Sequence, residues 1–298
     1  MADFYEEISK NKLKSYALMV FFSLLIIVLG YVFGEVFLGD YMFGMVFAFI
    51  IAIIYSLIAY HSGSNMILSL SHAKPVTKKD DPFYWNTVEG LSIAAGIPMP
   101  KIYMIQEESI NAFATGKDPE HSAVCITSGA RKRLNRAELE GVLAHEISHI
   151  KNYDIRFMML VTVMIGIVAL LSDFMLRSFL WGGGRRDSKS GGNVILIVVA
   201  LAMAILAPII AQMIRFAISR KREFLADASG AKLTRYPKGL ADALRKIKND
   251  HDKVVDTANK ATAHLYIENP LRNLKGGLNR MFSTHPPIDE RIKALESM

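Results

Sequence analysis

The chain has 298 residues, of which 51% are hydrophobic and 21% charged, with a formal net charge of +7. That is too apolar for an ordinary water-soluble domain and too charged for a chain wholly inside lipid, so both solvents are implied. One cysteine, Cys125, excludes an intrachain disulfide and a thiolate metal cluster, and the basic residues gather beside apolar runs, which points to anionic lipid and away from nucleic acid.

Residues 1–14 are polar and carry Lys10, Lys12 and Lys14, after which Ser15 to Gly34 is an uncharged run of 20 residues. As a helix it would be about 30 Å long, the thickness of a bilayer core. It is too long for a signal-peptide core and no A-x-A site follows it, so a retained anchor is predicted. A loop with Glu35 and Asp40 leads to a second uncharged run, Tyr41 to Tyr60, and Lys74, Lys78 and Lys79 come next. By the positive-inside rule the N-terminus and the chain after the second span are cytoplasmic. Asp81 and Pro82 open a helix to about Ala95 that Gly96 and Pro98 stop. Lys101 to Ile105, Asn111 to Thr115 and Ser122 to Thr127 read as short strands, with Cys125 a small core residue. An edge strand beside a metal could pair with an extended substrate and bind it through the backbone.

The stretch NRAELEGVLAHEISHIKN, Asn135 to Asn152, holds His145, Glu146 and His149 in the order H-E-x-x-H. Asn135 can cap a helix with Glu138 three residues on, and Leu139, Val142, Leu143, Ile147 and Ile150 supply a buried face. Residues four apart lie one turn apart and about 40° around the axis, so both imidazoles can reach one tetrahedral Zn²⁺. Glu146 falls beside them, where it could take a proton from a water that the metal activates. The longer pattern with a third histidine fails, because Asn152 and Ile155 stand at its Gly and His positions. A carboxylate should therefore complete the set. Further on, SRKREFLADASG places Glu223 and Asp227 four apart on one helix face, the first suited to the metal and the second to the free N–H of a ligand histidine.

Two further apolar runs separate these helices, Phe157 to Leu171 and Gly191 to Ile214, joined by the polar loop WGGGRRDSKSGGN. Two crossings return the chain to the first side of the membrane, which lets Glu223 meet the histidines. Arg177, Arg185, Arg186 and Lys189 then lie outside, against the positive-inside rule, and a hairpin that dips into the bilayer is the alternative. Lys238 to Lys248 and Val254 to Tyr266 have the pattern of amphipathic helices. The expected architecture is α+β, a multi-pass membrane protein with four transmembrane helices and a zincin-like (gluzincin) domain. Residues 1–60 form the first membrane pair, 61–156 the first part of the protease domain, 157–214 the second pair and 215–298 the rest of the domain.

With these elements the chain resembles the HtpX family of membrane zinc endopeptidases, relatives of the CAAX prenyl endopeptidases. The resemblance rests on two N-terminal spans, NAFATG at Asn111 to Gly116, HEISH at His145 to His149, REFLAD at Arg222 to Asp227 and THPP at Thr284 to Pro287. It implies one Zn²⁺ held by His145, His149 and Glu223, with Glu146 as general base and then proton donor to the leaving amine. It also implies that Asn111 and His285 flank the metal and stabilise the oxyanion. The family's work is the cutting of misfolded or damaged membrane proteins from the cytoplasmic side of the bacterial inner membrane, in quality control and stress response, by a chain that could be a homo-oligomer. Two other readings stay open at this stage: a catalytically silent membrane scaffold that keeps zinc for stability, and a CAAX-type or intramembrane zinc protease.

Overall fold

The two N-terminal apolar runs fold as a helical hairpin in a computed structural model that describes residues 2–35, 39–166, 220–250, 262, 265–268 and 286–298. Helix α1 spans Ala2–Phe33 and α2 spans Tyr41–Leu70, with the Asp40 side chain accepting from Phe43 N at the start of α2. Both run past the predicted bilayer segments. At 1.5 Å per residue the 30 residues of α2 reach about 45 Å, so its last turns stand clear of the hydrocarbon. The helices pack through small residues: a Cβ on Gly30 would collide with the Ala48 Cβ, and one on Gly44 would meet Gly34 Cα at 2.6 Å. Close backbone approach of this kind is how helices associate in lipid, where apolar side chains gain little by leaving the solvent.

Outward from that seam, Val20, Leu24, Val28, Phe43, Phe47, Ile50, Ile54 and Leu57 are exposed. Only 11% of the apolar window in α1 and 22% of that in α2 is buried, so neither is the core helix of a soluble protein. A belt of this size needs lipid around it. These two are the helices of spanning length and composition among the described residues. Of the third predicted span, residues 157–166 are helical, in a helix (α6) that begins at residue 154 and is largely buried. Its remainder, the fourth span and the loop with Arg177, Arg185, Arg186 and Lys189 lie outside the described residues.

The body that follows is mixed α and β. Helix α3, Pro82–Ala95, starts on Asp81, whose side chain accepts from Tyr84 N, and ends at Gly96 with φ +69°. Strands β1 (Lys74–Pro75), β2 (Lys101–Ile105), β3 (Ala112–Gly116) and β4 (Ser122–Thr127) form a sheet in the order β1-β2-β4-β3, with β2 and β4 parallel and β3 antiparallel to β4. Cys125, in β4, is fully buried, as a small core side chain should be. After the short α4 (Ser128–Arg133) comes α5 (Arg136–Lys151), the H-E-x-x-H helix. It packs on β3, α3, α7 (Arg220–Thr234) and α8 (Pro237–Lys248), and α9 (Ile288–Glu296) closes over α7 and α8. Most of the helix expected over Val254 to Tyr266 is outside the described residues, and within 265–268 the chain is not α-helical.

Candidate metal centre

Helix α5 is fixed at its start by a full capping box. Asn135 Oδ1 accepts from Glu138 N at 3.0 Å and Glu138 Oε2 accepts from Asn135 N at 2.7 Å. Two turns later its buried face turns from aliphatic to polar, and His145, Glu146 and His149 are each no more than 5% exposed. Helix α7 crosses at this level because Gly230 permits it: a Cβ there would lie 3.0 Å from His145 N. Its first turn brings in Glu223, 4% exposed.

Three potential ligand atoms converge, all within 4.8 Å of one another. The two Nε2 atoms are 3.2 Å apart, and Glu223 oxygens lie 3.8 Å from His145 Nε2 and 3.6 Å from His149 Nε2. Ligand atoms 2.0–2.1 Å from a tetrahedral Zn²⁺ stand roughly 3.3–3.4 Å apart, so these separations suit that ion. The donor set suits it as well: two imidazoles and a carboxylate, brought from helices far apart in sequence, aim lone pairs at one buried point.

Each imidazole is held from behind by a carboxylate. His145 Nδ1 is 2.9 Å from Asp227 Oδ1, and His149 Nδ1 is 3.0 Å from Asp154 Oδ2. With Nδ1–H donating, Nε2 is left as the free lone pair. The two carboxylates are themselves secured differently. Arg291, fully buried on α9, donates to Asp227 through Nε at 2.8 Å and Nη2 at 2.7 Å, and also to the Ile267 carbonyl at 3.1 Å. Asp154, at the start of α6, accepts from Asn11 Nδ2 of α1 at 2.8 Å.

The electrostatics follow. Burial pulls the His145 pKa below the ordinary value, and the Asp227 contact does not overcome it. Burial acts on His149 in the same direction, yet the Asp154 hydrogen bond and the Glu223 charge outweigh it and lift that group to about 9. Asp227 is held well below the carboxylate range: burial alone would raise it, but the Arg291 guanidinium prevails. Glu146 is pushed up to about 7, chiefly by burial, against the pull of His149 and a backbone hydrogen bond from Ala114. A carboxylate tuned to neutrality is well matched to take and return a proton near pH 7.

Asn111 is buried just before β3. Its backbone N–H donates to Thr127 Oγ1 at 3.0 Å and its Nδ2 to the Glu268 carbonyl at 3.0 Å, while Ala112 O accepts from Ile267 N at 2.9 Å. The edge of β3 therefore already meets a segment of the same chain at its first residue. His285 lies outside the described residues. Thus His145, His149, Glu223, Glu146 and Asp227 share one centre, and Asn111 immediately precedes β3, the strand whose Ala114 backbone reaches Glu146. Asp154, Arg291 and Asn11 are participants that the sequence pattern did not single out. Asp154 could have been noticed as an acid five residues after His149. Arg291 and Asn11 are surrounded by charged neighbours that read as surface.

A model of peptidase family M48 matches residues 84–298. The chain belongs to that family. Among its curated relatives are proteins named "Protease HtpX homolog" from Dictyoglomus thermophilum, 48% identical over 99% of this chain and 95% of the relative, and from Listeria monocytogenes serotype 4a, 43% identical over 99% of each. A third, from Thermoanaerobacter pseudethanolicus, is 45% identical over 99% of this chain and 97% of its own. The crystal structure of S. mikatae Ste24p superposes with a TM-score of 0.48 at 21% identity, covering 97% of this chain and 66% of that one, a likeness too distant to argue from. The family match and the His145, His149 and Glu223 cluster make the M48 chain a zinc metalloendopeptidase.

Proposed function

We propose that this M48 peptidase hydrolyses peptide bonds of misfolded or damaged membrane proteins at the cytoplasmic face of the bacterial inner membrane, as the shared features with HtpX homologues suggest. The observation that carries the reading is the buried convergence of His145 Nε2, His149 Nε2 and a Glu223 oxygen next to the raised Glu146 carboxylate. In this reading His145, His149 and Glu223 hold one Zn²⁺, with a fourth position left for water or substrate. When bound there, the ion would supply Lewis-acid polarisation of the scissile carbonyl and acidify water.

The chain's own residues do the rest. Asp227 and Asp154 keep the imidazoles in the tautomer and orientation that present Nε2. Glu146, buried beside the metal position, takes the proton from the attacking water and delivers it to the departing amine nitrogen. Asn111 and His285 are assigned to the oxyanion, where aimed donors lower the barrier in a water-poor cleft. The exposed belts on α1 and α2 tether this chemistry to the bilayer, where unfolded membrane substrates are found. We further propose that residues 61–156 and 215–298 together form the protease domain, that 1–60 and 157–214 are its two membrane pairs, and that the chain could assemble with copies of itself.

The test is Glu146→Gln, which keeps shape and metal ligands but removes the base. Cleavage of an unfolded membrane substrate is expected to fall by about 10²-fold or more, with zinc content unchanged. Turnover equal to the parent would overturn the mechanism.

A further inference from the structure

We propose that Asn11, on the anchor helix α1, is a positioning residue for the metal centre and acts through Asp154 on His149. The inference rests on the reading of His149 as a zinc ligand. Asn11 is 1% exposed although it sits in a polar lead-in between two lysines. Its amide nitrogen bridges two acceptors, Asp154 Oδ1 at 2.8 Å and the Asn152 carbonyl at 3.0 Å. Both partners only accept, which fixes the orientation of the amide. The Asn11 backbone carbonyl accepts from Ser15 Oγ at 2.8 Å one turn on.

Asn152, Tyr153 and Asp154 make the turn between the metal helix α5 and α6. Helix α1 grips all of it. The Lys12 ammonium lies 4.2 Å from the centre of the Tyr153 ring, and the Arg156 guanidinium lies 5.2 Å from it. Tyr153 has φ +60°, a left-handed conformation that a bulky side chain adopts only where its surroundings enforce it. With Oδ1 of Asp154 held by Asn11, Oδ2 is left to face His149 Nδ1 at 3.0 Å. A competitor stands close: Arg222, one residue before Glu223, has Nη1 3.7 Å from Asp154 Oδ1. Without the Asn11 amide, that guanidinium can draw the carboxylate away from the imidazole. The membrane anchor is in this way part of the zinc site, and seating of α1 and zinc affinity are coupled.

The test uses the full chain in nanodiscs, loaded with zinc and challenged with a chelator. Asn11→Ala is expected to speed zinc loss about 10-fold, the lower end for a residue that orients a ligand from behind, and to lower kcat while leaving KM near the parent value. Asn11→Ser, which keeps a donor too short to bridge both acceptors, should fall between the two, and it serves alone should Asn11→Ala not fold. In an Asp154→Ala background, Asn11→Ala should add nothing. Val20→Ala, on the exposed side of α1, should behave as the parent. Zinc loss from Asn11→Ala at the parent rate, or an equal effect with Asp154 already gone, would overturn the proposal. If His149→Ala retained zinc as the parent does, the metal reading would fall first and this inference with it.

Discussion

The two histidines are chemically alike and one helical turn apart, yet they are braced from opposite directions by different physics. His145 leans on Asp227, which is locked by the two-pronged Arg291 guanidinium, an ion pair with both partners buried. His149 leans on Asp154, which is held by the neutral amide of Asn11 from the membrane anchor, with Arg222 farther off. A buried ion pair is rigid but fragile to the loss of either member, because the survivor is stranded in a poor solvent for charge. A neutral amide bond is a weaker contact whose loss strands less. The difference separates a brace that holds the fold from one that tunes the site.

Removing Arg291 should expose that contrast most sharply. Arg291→Met keeps much of the volume but leaves Asp227 buried without its countercharge, and about 3–5 kcal/mol of stability should be lost. The α9 contact with the Ile267 carbonyl goes as well. Chemical denaturation of the zinc-free protein in detergent would measure it. A loss under about 1 kcal/mol would mean that water reaches Asp227 and that the ion-pair brace is not as dry as its burial implies.

Comparing the two carboxylates directly is the next sharpest test. Asp227→Asn and Asp154→Asn should each weaken zinc binding by about 10- to 100-fold, because a neutral amide raises the basicity of the imidazole less than a carboxylate does. Their effects on stability should part. Asp227→Asn takes from Arg291 the carboxylate that accepts two of its hydrogen bonds and leaves Glu223 at 3.7 Å as a countercharge, whereas Asp154→Asn takes from Arg222, also buried, only a contact at 3.7 Å. Equal losses of stability in the two variants would erase the distinction drawn between the braces.

What could be read from the sequence in this centre is what lies within a few helical turns. The capping pair Asn135 and Glu138, the two histidines four apart and the Glu223 to Asp227 spacing are all local, and a helix places them by its own geometry. Strands β2, β3 and β4 lie within a residue of the bounds read from the sequence, whereas the two-residue β1, Lys74–Pro75, is too short to leave a pattern. The braces were hidden for the opposite reason. Asn11 meets Asp154 across 143 residues, and Arg291 meets His145 across 146. No periodicity reports such a contact. Arg291 stands in IDERIK, whose neighbours Asp289 and Glu290 give the pattern of a solvated helix, and its complete burial exists only once α7 has delivered Asp227. The spacing to Asp227 made Glu223 a candidate, and the even number of crossings that must separate it from the histidines gave that candidate its weight.

The mildest perturbation is the one that should not discriminate between the braces at all. Asn135→Ala removes the cap at the far end of α5 and frees Glu138 from its reciprocal bond, at a cost of about 1 kcal/mol. Glu138 keeps a second partner, Lys246 of α8 at 2.7 Å, so the end of the helix stays pinned to the body. The site begins more than two turns away, and both histidines ride on the same rigid segment, with Gly141 packed against the backbone of Leu240 between cap and metal. The unfolding midpoint should therefore shift while the rates of zinc loss and turnover stay at parent values. If the cap variant instead released zinc faster, α5 would have to transmit fraying along its length, and the bracing of each imidazole by its own carboxylate would no longer explain how the centre holds its shape.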